Sequence, residues 1–242
     1  MITQISKSGY TDKKIRLVLI FLAQVILVTK ILPAKELPNR GAICHGSREK
    51  KLIALTFDAC QRDTLAGYDK EIVDILKKTN TPATLFLGGN WIESHCEVVR
   101  ELSSDTLFEI ANHSYSHLHL TKCPAEQVLE EIKKTQDIIK KITGREAVLF
   151  RAPFGEFDTQ VLKIAAQLGL KTVQWDVVSG DPDPRVLSAK MIKEVTSVAK
   201  NGSIIIFHVN KKGWHTAQAL PAIIKKLREK NFQFVTVSEL LN

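Results

Sequence analysis

Seven short apolar runs separated by amphipathic stretches constrain this chain's fold more than any other feature. Runs such as Leu52-Ile53-Ala54-Leu55-Thr56-Phe57 and Ser203-Ile204-Ile205-Ile206-Phe207 are continuous rather than alternating, so both faces must be covered, as in a parallel sheet. Strands are expected near 52–57, 83–87, 107–111, 147–151, 171–176, 203–207 and 232–237. Helices are expected near 69–78, 91–102, 124–142, 158–168, 185–200 and 215–230. Between Lys70 and Lys78 apolar residues recur at helical spacing, and Gly169 and Gly202 stand where helices should stop. Such alternation predicts parallel strands joined by right-handed crossovers. Seven strands in about 200 residues fall short of a complete eight-stranded barrel. The expected fold is therefore α/β, a distorted or incomplete (β/α) barrel with about seven parallel strands, an open doubly wound sheet being the alternative.

The first 35 residues differ from the rest. Lys13, Lys14 and Arg16 precede an apolar run from Leu17 to Val28, the build of a secretory signal. That run is shorter than the roughly 20 residues that span a bilayer. Ala34 offers a small residue for cleavage, yet Leu32 fits the small-x-small site poorly, so an uncleaved membrane anchor is the alternative. The expected layout is a signal peptide or anchor over 1–35, a linker over 36–49 and a folded domain over 50–242. The product is then exported, and periplasmic, secreted or anchored in the cell envelope. Cys44, Cys60, Cys96 and Cys123 contain no C-x2-C pair, which argues against a zinc knuckle. In an oxidising compartment they are expected to form one or two disulfides, with three pairings open. The net charge of +8 is spread over lysine-rich helices such as those carrying Lys133-Lys134 and Lys225-Lys226. It forms no concentrated stripe with aromatic platforms, which excludes a nucleic-acid partner.

Chemistry gathers where the apolar runs end. The first run leads into Asp58, the fourth into Arg151-Ala152-Pro153-Phe154-Gly155, and the sixth into His208. After the third comes His113-Ser114-Tyr115-Ser116-His117. On a helical turn residues four apart share a face, so the two imidazoles can converge on one cation, and imidazole suits zinc and its neighbours. Polar groups at the carboxyl ends of several parallel strands are the arrangement expected of an active site.

In order and spacing, Thr56-Phe57-Asp58, His113-x3-His117, Arg151-Ala152-Pro153-Phe154-Gly155, Trp175 with Asp181, and Ile206-Phe207-His208 resemble the motifs of polysaccharide deacetylases, the NodB-homology group or carbohydrate esterase family 4. The resemblance covers roughly residues 50–242, making this the catalytic domain. It implies a distorted (β/α) barrel and a divalent-metal hydrolase, zinc first with cobalt or nickel as alternatives. The implied reaction removes N-acetyl groups from N-acetylglucosamine-type units of an acetylated glycan: peptidoglycan, a chitin-like polymer or an exopolysaccharide. By the resemblance His113 and His117 hold the metal, Asp58 is the general base and His208 the general acid. Arg151 orients the base and Asp181 supports the protonated acid. Trp175 and Ile206 wall a slot for the acetyl methyl, with Pro153 and Gly155 also on the substrate side. His119 and His215 are at most pocket lining.

The pattern breaks at one position. The family's usual signature has a second aspartate after Asp58 as third metal ligand, and here that residue is Ala59. Asp58 itself, Asp63 or Asp69 from the next loop, Cys60 as thiolate, or water are the available replacements. Two other readings stand beside the deacetylase: a glycan-binding pseudoenzyme that keeps the cleft without the metal, and a hydrolase of a different small amide on the same scaffold.

Overall fold

The computed structural model describes residues 41–61 and 66–242, so the proposed signal or anchor and Asp63 lie outside the described residues. Each expected strand has a counterpart: β1 (Leu52–Ala59), β2 (Ala83–Leu87), β3 (Phe108–Asn112), β4 (Leu149–Phe150), β5 (Lys171–Thr172), β7 (Ile204–His208) and β8 (Gln233–Phe234). A further two-residue strand, β6 (Val177–Val178), was not expected. Helices α1 (Lys70–Lys78), α4 (Ala125–Thr143), α5 (Thr159–Gln167), α6 (Ser188–Val198) and α7 (Thr216–Glu229) fall where helical spacing put them. The stretch expected as one helix over 91–102 is two, α2 (Gly89–Ser94) and α3 (Cys96–Ser104). The break is at His95, whose ring stacks on Trp91 at 4.3 Å and whose Nδ1 lies 2.9 Å from the Trp91 carbonyl. The strand expected over 232–237 stops at Phe234 because Thr236 caps a last helix, α8 (Val237–Leu240), in a reciprocal Thr236–Glu239 capping box.

All pairings among these strands are parallel, in the order β5-β4-β3-β2-β1-β7-β6, with β8 paired to the start of β1. This order decides between the two expected architectures. In a flat sheet the first and seventh strands would lie about 29 Å apart, at about 4.8 Å per strand spacing. Yet only residues 173–176 separate β5 from β6, a reach of at most about 18 Å. The sheet must therefore curl into an incomplete barrel. Ile43 fills the gap, accepting from the Gln174 N–H at 2.7 Å and donating to the Thr172 carbonyl at 2.8 Å. Within the stretch expected as a linker, Ile43 bridges to Val173 and His45 to Ser203.

The curl divides each strand's residues by parity. On β1 the side chains of Ile53, Leu55, Phe57 and Ala59 join the core under the helices, while Ala54 joins Phe86, Ala111, Leu149, Val173 and Ile204 inside the barrel. Phe57 and Phe207 stack at 5.4 Å on the helix side. Val237 and Leu240 of α8 join the interior cluster, and the Val237 N–H donates to Thr84 Oγ1. Among the described residues no helix is long and apolar enough to cross a membrane.

Gly202 has a φ of 74°, and a Cβ there would meet the Ser47 carbonyl at 2.4 Å. Gly202→Ala is expected to loosen the N-terminal segment and lower stability by more than about 1 kcal/mol in urea unfolding, because neither the backbone angle nor the space accepts a methyl.

Candidate active site

The residues singled out by sequence meet at the carboxyl ends of the strands. Asp58 is the interior-facing residue next to last on β1, directly beside His208 in the β1–β7 register. His113 follows β3, Arg151 follows β4, Trp175 follows β5 and Asp181 follows β6. Each thus sits where parallel strands end together, at the mouth of the barrel.

A buried ion pair lies at the centre. Arg151 Nη1 donates to Asp58 Oδ1 at 2.6 Å and to Thr56 Oγ1 at 3.0 Å, and Nη2 donates to the Gln174 carbonyl at 3.2 Å. The guanidinium lies over the Phe86 ring at 3.9 Å and 5.4 Å from Trp175, and the whole side chain is inaccessible to solvent. Burial opposes ionisation of Asp58, but the Arg151 guanidinium, by its charge and its hydrogen bond, with His208 beyond, outweighs it and holds the carboxyl below its ordinary range. Burial likewise lowers Arg151, against the attraction of Asp58.

Asp58 Oδ2 points to His113 Nε2, 3.7 Å away. The contact is not an ion pair, because burial pushes the His113 pKa down and leaves a neutral imidazole. His113 Nδ1 donates to the Arg151 carbonyl at 2.8 Å, which fixes the tautomer and leaves Nε2 as a lone-pair donor on the side of Asp58. His117 comes beside it, with ring centroids 5.1 Å apart.

These histidines do not lie on a helical turn, which corrects the geometry expected from their spacing. Residues 113–117 form a loop in which Ser114 and His117 take positive φ, 59° and 58°. The loop is gripped from two sides. Glu131 on α4 accepts from the Tyr115 N–H at 3.0 Å, the Ser116 N–H at 2.8 Å and the Ser116 hydroxyl at 2.5 Å. On the other side the Gly89 N–H donates to the Ser114 carbonyl at 2.9 Å, and a Cβ on Gly89 would strike Tyr115 at 2.5 Å. Glu131 was missed in the sequence although it lies in the buried stripe Val128, Ile132, Thr135, Ile139 of its helix, a place where a carboxylate needs a partner.

Opposite, His208 Nδ1 donates to Asp181 Oδ1 at 2.9 Å. Asp181 is fully buried and also accepts from the His208 N–H at 2.7 Å, Thr216 Oγ1 at 2.9 Å and Ser179 Oγ at 3.0 Å. Burial disfavours charge on His208, but the hydrogen bond and charge of Asp181, with Asp58 beyond, prevail and raise its pKa above the usual imidazole value. Gly213 allows this closeness, since a Cβ there would fall 2.8 Å from Asp181 Oδ2 and 2.5 Å from the His208 carbonyl. Ser179, Thr216 and Gly213 carried no sequence signal, because only the fold brings them to Asp181.

The rim holds the remaining residues. Pro153 is buried in the turn Pro153–Gly155, and a Cβ on Gly155 would meet the half-buried Trp175 ring at 2.9 Å. Ile206 faces the interior next to Thr56 in register. Phe154, 44% exposed, stacks on His119 at 4.0 Å and meets His117 edge-on at 4.5 Å. His119 Nδ1 donates to Glu156 at 2.8 Å, and His215 precedes α7 with its Nδ1 3.3 Å from Gln218.

No disulfide joins the four cysteines, contrary to the expectation of one or two. Instead Cys60 stands with His113 and His117 in a group whose donor atoms all lie within 4.8 Å of one another, the one such group of three or more among the described residues. Two nitrogens and a sulfur, with His113 held neutral, are a donor set that fits a zinc-like ion. Asp69 is engaged elsewhere, 3.3 Å from Lys211 Nζ.

The mouth of an incomplete parallel barrel thus holds a carboxylate–guanidinium pair, a carboxylate–imidazole pair and a histidine pair. The polysaccharide deacetylase family model matches residues 45–173, just over half of the chain, and the chain belongs to that family. It is 30% identical over 203 residues to the uncharacterized protein YlxY of Bacillus subtilis, covering 83% of this chain and 60% of that one. It is 34% identical over 192 residues to the peptidoglycan-N-acetylmuramic acid deacetylase PdaC of the same organism, covering 79% and 39%. The chain therefore spans less than two thirds of the length of these relatives. Among solved structures it is similar to a CE4 family pseudoenzyme from Bacillus anthracis, with a TM-score of 0.76 and 28% identity over 84% of this chain and 69% of that one.

Two substitutions test how the site is held. Arg151→Ala leaves Asp58 as an uncompensated buried charge and is expected to lower unfolding free energy by about 3–5 kcal/mol in denaturant titration. Glu131→Ala removes no metal donor, yet is expected to weaken zinc binding about 10–100-fold in calorimetry by releasing the histidine loop.

Proposed function

We propose that the protein is an exported, metal-dependent N-deacetylase acting on N-acetylglucosamine-type units of a cell-envelope glycan. The observation that carries the reading is the placement of an ionised Asp58 and a protonatable His208 on neighbouring strands, flanking the His113–His117 pair. Membership of the polysaccharide deacetylase family supports the acetylated-glycan substrate class. Export is inferred from the basic flank and apolar run of residues 13–28.

A divalent cation bound at the histidines would polarise the amide carbonyl and make water a better nucleophile at neutral pH. The chain's own residues supply the proton traffic. Asp58 takes the proton of the attacking water on Oδ2, because Oδ1 is tied to Arg151 at 2.6 Å. Arg151 keeps that carboxylate ionised and fixes its plane. His208 gives a proton to the departing sugar amine from Nε2, since Nδ1 is committed to Asp181. Asp181 stabilises the imidazolium before transfer. Water thus divides between acetate and amine: its oxygen joins the acyl carbon as the carbon–nitrogen bond breaks, and both side chains reset by exchange with solvent. Trp175, Ile206 and Gly155 border the space beside these groups and set the size of the acyl group.

A second reading rests on one residue. Ala59 supplies no metal donor, so a glycan-binding protein without turnover is the competing function. Acetate release from N-acetylated chito-oligomers and peptidoglycan, abolished by chelator and restored by zinc, is expected for the enzyme. Glycan binding without acetate from either substrate would establish the other reading. His208→Ala is expected to reduce turnover by about 10²–10⁴-fold while bound metal stays the same.

The pH profile follows from the two charge pairs. Asp58 lies below its ordinary pKa and His208 above its own, so the rate should fall on the acid side as Asp58 gains a proton below the usual carboxylate range, and on the alkaline side as His208 loses one above the usual imidazole value. In Asp181→Asn burial is no longer outweighed, and the alkaline limb is expected to move to lower pH. An unmoved limb would remove His208 from the acid role.

A further inference from the structure

We propose that Cys60 Sγ is the third protein ligand of the cation held by His113 and His117, giving a two-nitrogen, one-sulfur site that selects soft, zinc-like ions. The inference rests on the metal-binding part of the reading above. Its first support is strand parity. Ala54, Thr56 and Asp58 turn into the barrel, whereas Ile53, Leu55, Phe57 and Ala59 turn toward the helices, and Ala59 is fully buried in that helix-side core. Cys60, one residue beyond β1, continues the interior-facing series and shares the mouth with Asp58.

Distance agrees. In tetrahedral geometry, bonds of about 2.3 Å to sulfur and 2.0–2.1 Å to nitrogen place the donors about 3.3–3.6 Å apart. The three donor atoms already lie within 4.8 Å of one another, so adjustments of about an ångström close the site. Charge agrees as well, because a thiolate brings the same single negative charge as the carboxylate that Ala59 lacks.

The surroundings hold Cys60 in place. The Gly88 N–H donates to the Ala59 carbonyl at 2.8 Å. From the other side buried Asn210, two residues past His208, donates through Nδ2 to the Cys60 carbonyl at 2.7 Å and reaches its sulfur at 3.7 Å. An N–H directed at a ligating sulfur, like the His113 bond to the Arg151 carbonyl, is the outer support that metal ligands commonly have. Sulfur also changes the preference of the site: thiolate favours zinc-like ions, where a carboxylate would admit magnesium or manganese.

The test uses the full chain loaded with cobalt(II). One ion per chain and a thiolate-to-cobalt charge-transfer absorption are expected, with the absorption lost in Cys60→Ala and Cys60→Ser. Cys60→Asp should keep cobalt and zinc binding without that absorption and gain affinity for manganese. Zinc should protect Cys60 from iodoacetamide, read by peptide mass spectrometry, at least tenfold. Identical cobalt spectra in wild type and Cys60→Ala, or labelling of Cys60 unaffected by zinc, would overturn the proposal, as would a wild type that binds no cobalt. A protein that shows the absorption but releases no acetate keeps this ligand set and loses the deacetylase reading. One that releases acetate without the absorption does the reverse.

Discussion

The salt bridge between Arg151 and Asp58 governs the rest of the site. Both groups are almost wholly removed from water, where a lone charge would be intolerable and even a paired one pays desolvation. Replacing such a pair with packed apolar residues is often neutral or stabilising, so its retention points to work rather than to stability. That work is visible in its neighbours. Arg151 also donates to Thr56 on β1 and the Gln174 carbonyl, and its own carbonyl orients His113. One residue thereby links three strand ends and sets both the charge of Asp58 and the tautomer of a candidate ligand.

The second pair repeats the logic with opposite consequence. Asp181 is saturated by Ser179, Thr216 and two groups of His208, so its charge is fully supported where no water reaches it. A supported anion raises its histidine, while the supported cation Arg151 lowers its carboxyl. Two titratable groups on adjacent strands are thus pushed apart in pKa, the condition that lets one accept and the other donate a proton at the same pH. Neither shift would arise on the surface, where solvent screens such interactions.

Much of this was legible in the sequence, and the reasons are local. Apolar runs announce buried parallel strands, and the residue that ends each run is placed at the mouth by topology alone, which is how Asp58, Arg151 and His208 were found. The parity that puts Cys60 on the face of Asp58 and Ala59 on the other was also readable from β1. What escaped was either too short or too distant. β6 has two residues and α8 four, below the length at which periodicity speaks. The His113–His117 loop mimicked helical spacing, because a loop with two positive φ angles can also fold residues four apart onto one ion. Glu131, Asn210 and Thr216 act across the fold, and no window of sequence contains both them and their partners.

Anomalous diffraction at the zinc edge from zinc-soaked crystals would locate the cation. One ion is expected at the barrel mouth, bound by His113 and His117, with Asp58 still paired to Arg151 and turned toward the ion's open side. A mouth without zinc, or an ion bound elsewhere with Asp58 separated from Arg151, would contradict this expectation.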